Sequence, residues 1–120
     1  MATILIVDDS STETYKLTNI LERNDHLVLS AESGEQGINL AKSELPDVVL
    51  KDIVMPEPNG FQATRQLSRG PETKHIPVII VTAKNQQANQ VWCERQGARA
   101  YLVKPIDEKQ LVTAIDEVVA

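Results

Sequence analysis

Thr3-Ile4-Leu5-Ile6-Val7-Asp8-Asp9 opens the chain with an apolar, largely β-branched run that ends abruptly on two acids. Four further short runs share that character: Leu27 to Ala31, Val48 to Leu50, Val78 to Val81 and Ala100 to Val103. Four of the five read as continuously apolar rather than alternating, which suits strands covered on both faces, as in a parallel sheet. Between them apolar residues fall at helical spacing: Leu17, Ile20 and Leu21; Ile38 and Ala41; Phe61, Thr64 and Leu67; Val91 and Trp92; Leu111, Ile115, Val118 and Val119. The fourth of these helices is the least amphipathic. Ser10 with Glu13, and Ser33 with Gln36, have capping-box spacing, where a hydroxyl and a carboxylate or amide satisfy orphan N–H groups reciprocally. Pro46-Asp47, Pro56-Glu57-Pro58-Asn59-Gly60, Gly70-Pro71 and Gly97 punctuate the periodic runs, because Pro cannot continue a helix and Gly accepts positive φ. Each crossover exceeds the dozen or so residues that a parallel connection needs, and right-handed crossovers place helices on both faces. The sequence therefore predicts a doubly wound α/β fold of five βα units.

In such a sheet the carboxyl ends of all strands point to one edge, and ligands bind there where strand order reverses. The first strand ends in Asp8-Asp9, the second in Ala31-Glu32, the third in Asp52, the fourth in Thr82-Ala83 and the fifth in Lys104-Pro105. If the order is 2-1-3-4-5, the first and third strands are neighbours, and Asp8, Asp9 and Asp52 are expected within a few ångströms of one another. At about 4 Å and an effective dielectric of about 20, each like-charged pair repels by roughly 4 kcal/mol, so the cluster should hold a divalent cation or raise a pKa. An all-oxygen cluster suits Mg²⁺, Mn²⁺ or Ca²⁺. Taken singly, each residue has a plainer use: Asp8 and Asp9 suit a helix N-terminus, Thr82 a sheet edge, and Lys104 a solvated surface. Ser10 and Ser11 already supply a cap, however, and no helix starts directly after Asp52. The matching placement of Thr82 and Lys104 makes coincidence a poor account.

With 120 residues, the chain is the size of one domain, with 42% of its residues apolar and no disordered or collagenous bias. Twelve Lys and Arg against seventeen Asp and Glu leave a net charge of −5, the wrong sign for a nucleic-acid surface. No basic leader, cleavage site or bilayer-length apolar run is present, so membrane insertion is not expected and the protein reads as cytoplasmic. Cys93 alone cannot form an intramolecular disulfide, and one Cys with two scattered His cannot build a thiolate or imidazole metal site.

Ile6-Val7-Asp8-Asp9, Val49-Leu50-Lys51-Asp52-Ile53-Val54-Met55-Pro56, Val81-Thr82-Ala83 and Lys104-Pro105 together resemble the receiver domain of two-component response regulators, over the whole chain and in the family's order. Asn59-Gly60-Phe61-Gln62-Ala63-Thr64-Arg65-Gln66-Leu67 and Gln96-Gly97-Ala98-Arg99 narrow the likeness to the receiver-only regulators of the twitching-motility, type IV pilus chemosensory pathway. The resemblance implies a flavodoxin-like (βα)₅ fold, CheY-like, with strand order 2-1-3-4-5. It implies that Asp52 takes a phosphoryl group from a histidine kinase of a chemosensory pathway, forming an aspartyl phosphate. Asp8, Asp9, Asp52 and the backbone carbonyl of Val54 would hold Mg²⁺, with Mn²⁺ able to substitute. Lys104 would clamp the phosphoryl group, Thr82 would donate its hydroxyl to a phosphoryl oxygen, and Tyr101 would turn inward as the switch. The bond between Lys104 and Pro105 would be cis. The readout would be the surface of the fourth helix, fifth strand and fifth helix. Without the resemblance, Tyr101 reads as an edge residue whose hydroxyl reaches water.

Two positions depart from what the family's chemistry favours. Apolar Val54, two after Asp52, cannot position an attacking water, and Lys84 stands two after Thr82; slow dephosphorylation is expected unless a partner assists. Lys51 directly precedes the acceptor, but adjacent strand side chains face opposite ways, so it is expected to point from the site and carries no assigned role. Cys93, His26 and His75 are likewise assigned none. Trp92 suits either the contact surface or a place against the sheet.

Other readings are weaker. A Mg²⁺-dependent phosphatase acting through an aspartyl phosphate would place its nucleophile on the first strand and need room for a substrate pocket. A flavin or dinucleotide protein lacks its Gly-x-Gly-x-x-Gly here, and Asp8-Asp9 would repel phosphate. A phosphate sink for a companion regulator, or a docking module that takes no phosphate, keeps the same fold. Because the fifth helix ends the chain, no output domain is expected, and the signal would leave by protein contact.

Overall fold

The computed structural model describes residues 2–53, 60–83 and 87–119. Strands and helices alternate throughout: β1 (Thr3–Val7), α1 (Ser11–Arg23), β2 (Leu27–Ala31), α2 (Gly34–Glu44), β3 (Val48–Lys51), α3 (Gly60–Arg69), β4 (Val78–Thr82), α4 (Gln87–Arg95), β5 (Ala100–Val103) and α5 (Glu108–Val119). All strand pairs are parallel and the order is β2-β1-β3-β4-β5, the doubly wound arrangement predicted from the sequence. β3 and β4 each run one residue beyond their apolar runs. Lys51 still pairs with Val7 and Ile80, and Thr82 with Val103, so the ladder continues where apolarity stops.

Side-chain alternation divides the core into two layers. Ile4 and Ile6 of β1, with Leu50, Ile79 and Val81, pack beneath Leu17 and Leu21 of α1 and Leu111, Ala114 and Ile115 of α5. Leu5 and Val7, with Val49, Val78 and Ile80, pack on the other face beneath Ile38 and Ala41 of α2, Ala63 and Leu67 of α3, and Cys93 of α4. β2 lies at an edge and is the least covered strand, with Leu27 57% exposed. His26 serves the fold: its Nδ1 accepts the Ala2 N–H at 3.1 Å, tying the entry of β2 to that of β1.

Both predicted serines cap their helices, but the Ser10 N–H donates to Asp8 Oδ1 rather than to Glu13, so the first box is not reciprocal. Ser10 Oγ accepts from the Glu13 N–H at 3.3 Å, and Ser33 Oγ from the Gln36 N–H at 3.1 Å. The return bond of the second differs in detail, since Gln36 Oε1 accepts from the Glu32 N–H, one residue before the cap.

After α4 the chain turns at Gly97, with φ +104, and a Cβ there would lie 2.5 Å from Ser68 Cβ on α3. Backbone strain and a steric clash therefore coincide. Gly97→Ala is expected to destabilise the fold by about 2 kcal/mol, seen as a lower urea midpoint with unchanged slope. A midpoint equal to wild type would mean that α3 and α4 do not meet as closely as described.

Candidate functional site

The sheet's hydrogen-bond ladder extends one residue past three strands, and each extension sets a polar side chain at the carboxyl edge. Asp8 N–H donates to Ala31 O of β2 at 3.0 Å, Asp52 N–H to Val7 O of β1 at 3.0 Å, and Lys104 N–H to Thr82 O of β4 at 2.8 Å. Side chains placed in this way are held by the sheet itself. The Lys104–Pro105 peptide bond is cis.

Three of the residues singled out from sequence converge. Lys104 Nζ donates to Asp8 Oδ2 at 2.8 Å and to Asp52 Oδ2 at 3.0 Å, and the three side chains are only 11%, 3% and 8% exposed. Asp8 Oδ1 also accepts the Ser10 N–H at 2.9 Å, so this carboxylate braces the entry to α1 as well as facing the site. Thr82 is fully buried at the end of the neighbouring strand.

Burial opposes the charge on Lys104, but its hydrogen bonds to Asp8 and Asp52 and their negative charges outweigh that penalty and hold its pKa above the usual lysine value. A pKa raised by folding contributes stability that is complete below the ordinary lysine value and is lost only as pH rises through the raised one. The bridge is therefore intact across the neutral range.

Asp9 does not join this bridge. It is exposed, and no group of three His, Cys, Asp or Glu among the described residues is gathered closely enough to hold a metal. The expected three-acid crowd is corrected to two buried acids sharing one ammonium, with the third at the rim. The physical reason is that Asp9, one residue past Asp8, is turned to solvent, while Lys104 relieves the repulsion between the two acids that remain. Val54, expected to contribute a backbone carbonyl, lies outside the described residues, as do Met55, Asn59 and Lys84. The donors present nevertheless fit a hard cation: two buried carboxylates already converge on one positive centre, beside a third that is open to solvent.

Tyr101 of β5 is half-buried and packs against the α2–α3–α4 layer. Burial first, then the charges of Cys93 and Asp52, push its hydroxyl above the usual tyrosine pKa. Trp92 of α4 is 45% exposed, which places the ring at the surface rather than beneath the helix.

The residue that sequence reasoning passed over is Lys51. Its side chain does lie on the face opposite Lys104, in the layer of Val7 and Ile80, and it is completely buried. From there Nζ reaches back toward the edge and donates to Asp52 O at 3.2 Å. Burial lowers its pKa to about 8, against the opposing influence of Asp52 and Cys93. Burial likewise pushes the Cys93 thiol up to about 11, which leaves it inert at neutral pH. A lysine closing a strand that must be covered on both faces was the available signal.

This combination of fold and edge chemistry defines a class. The chain belongs to the response regulator receiver domain family, whose model matches residues 4–116. It is 62% identical over 120 residues to Protein PilH of Pseudomonas aeruginosa, covering 100% of this chain and 99% of that one. Among solved structures, a response regulator from Chloroflexus aurantiacus superimposes with a TM-score of 0.93 at 29% identity, covering 98% of this chain and 97% of that one. The receiver domain of a sensor histidine kinase from Pseudomonas aeruginosa, described with a magnesium ion coordinated in its active-site cleft, gives 0.90 at 24% identity, covering 98% and 97%. The chain is thus a domain of two-component signalling, similar throughout to PilH. No helix among the described residues is long and apolar enough to cross a membrane.

Proposed function

We propose that this chain is a stand-alone cytoplasmic response regulator that accepts a phosphoryl group on Asp52 from a histidine kinase. The observation that carries this reading is the Lys104 ammonium shared by the buried carboxylates of Asp8 and Asp52. It sets a fixed positive charge beside one nucleophilic oxygen, on side chains that are themselves largely buried. An oxygen of Asp52 attacks phosphorus, the O–P bond forms as the donor's N–P bond breaks, and the electron pair leaves with the imidazole nitrogen. Negative charge spreads over the three equatorial oxygens, and Lys104 exchanges its contact with Asp52 for one of them. Thr82 then donates its hydroxyl to another. Asp8 and Asp52, joined by Asp9 from the solvent rim and by the Val54 carbonyl, would hold a Mg²⁺ ion, which would supply further neutralisation of phosphoryl charge; Mn²⁺ has the same ligand preferences.

Phosphorylation adds about −1.5 to −2 charges beside β4, which ends in Thr82, and two strands from Tyr101 of β5, biasing the α4–β5–α5 surface. Trp92 is exposed on that surface, which suits transmission to a protein partner. Likeness to PilH supports a place in type IV pilus or twitching-motility chemosensing. The direct check is transfer of labelled phosphate from a phosphorylated chemosensory kinase. Label is expected on wild type and not on Asp52→Asn, and on wild type it should persist after the kinase is removed, since Val54 offers no group to position water. Label retained on Asp52→Asn would remove Asp52 from the role. Failure of wild type to take label from any such kinase or from acetyl phosphate would favour a docking module.

A further inference from the structure

Lys51 has no part in the mechanism above, yet it is the largest fully buried side chain of the core and the only lysine among the described residues in the buried class. It lies beneath the acceptor, on the far side of the sheet from Lys104, and it donates a hydrogen bond to the acceptor's own backbone, at Asp52 O. A buried ammonium is costly, and hydrophobic replacements of buried charges are commonly neutral or stabilising. Its neighbours on this face, Val7 and Ile80, are apolar, and the charges that act on it include Asp52 first and then Cys93 of α4. The charge is therefore held within reach of the acidic edge.

We propose that Lys51 is a positioning residue of the acceptor site, which fixes the Asp52 backbone through its hydrogen bond to Asp52 O and offsets the acids' negative field from behind the sheet. This rests on the reading of Asp52 as acceptor. Three acids at the edge then stand against two ammoniums, one in the cleft and one beneath it. The offset weakens the site's hold on a divalent cation and favours the approach of an anionic phosphoryl donor.

The experiment uses the full chain at pH 7, with wild type, Lys51→Met, Lys51→Gln and Lys51→Arg. Mg²⁺ affinity is measured by calorimetric titration, and phosphorylation rate with acetyl phosphate at saturating Mg²⁺. The two uncharged variants are expected to bind Mg²⁺ about tenfold more tightly and to be phosphorylated about tenfold more slowly, while Lys51→Arg stays near wild type in Mg²⁺ affinity. A purely structural lysine would alter melting temperature and leave Mg²⁺ affinity in place. Affinities of Lys51→Met and Lys51→Gln within twofold of wild type, or weaker, would overturn the proposal while leaving the acceptor reading intact. A wild-type protein that neither binds Mg²⁺ nor gains phosphate would instead remove the acceptor reading, and the proposal with it.

Discussion

Lys104→Met is expected to abolish useful phosphoryl acceptance and to weaken the fold at once. Its ammonium is the shared partner of two carboxylates that are 3% and 8% exposed, so its removal leaves both facing each other without compensation. Breaking a buried ion pair from one side typically costs about 3–5 kcal/mol. Loss of one preorganised donor to developing charge costs about 10²–10³ in rate. The variant should therefore unfold at markedly lower urea, recover part of that loss when Mg²⁺ is added, and accept phosphate from acetyl phosphate at least 100-fold more slowly. A stability equal to wild type in the absence of Mg²⁺ would show that the bridge does not hold the edge together.

Lys51→Met is expected to act in the opposite direction. Folding lowers the Lys51 pKa from 10.5 to about 8, so between those values the unfolded chain binds more protons and stability rises with pH. Below pH 8 the folded state carries the full penalty, about 3 kcal/mol for a shift of this size. Cys93 opposes the rise, because its pKa is raised from 9.0 to about 11 and folding there retains a proton that the unfolded chain loses. Wild-type stability should climb from pH 8 to 9 and then flatten. Lys51→Met should be about 2–3 kcal/mol more stable at pH 7 and lack the climb altogether, whereas Cys93→Ala should keep climbing beyond pH 9. Urea unfolding across pH 7 to 10 measures all three. A wild-type curve flat from pH 7 to 9 would show that the Lys51 charge is not held in a dehydrated place.

Much of this architecture is legible in the residues. Thr3–Val7 followed by Asp8 says both that a strand is covered on two faces and where it stops. The same reading at Asp52, Thr82 and Lys104 locates one edge, because parallel strands all end there. The two caps were readable because Ser10 and Ser33 stand at fixed offsets from Glu13 and Gln36. What composition could not supply was the direction of individual side chains. Asp9 follows Asp8 by one residue, and that single step turns it from the buried bridge to solvent. Lys51 follows the alternation rule as to face, but a four-carbon stem lets its ammonium return to the edge from the far side, which a rule about Cβ directions does not encode. Trp92, open from sequence, is settled by the weak amphipathicity of α4, which leaves the ring outside the layer that Cys93 enters.

The most direct test of the account is the intact mass of wild type and Asp52→Asn after incubation with acetyl phosphate, first with Mg²⁺ and then with a chelator. The expected result is the gain of one phosphoryl mass by wild type alone, and no gain when the incubation is carried out with the chelator. Equal gain by Asp52→Asn, or no gain by wild type with Mg²⁺ present, would contradict the assignment of Asp52 as the acceptor.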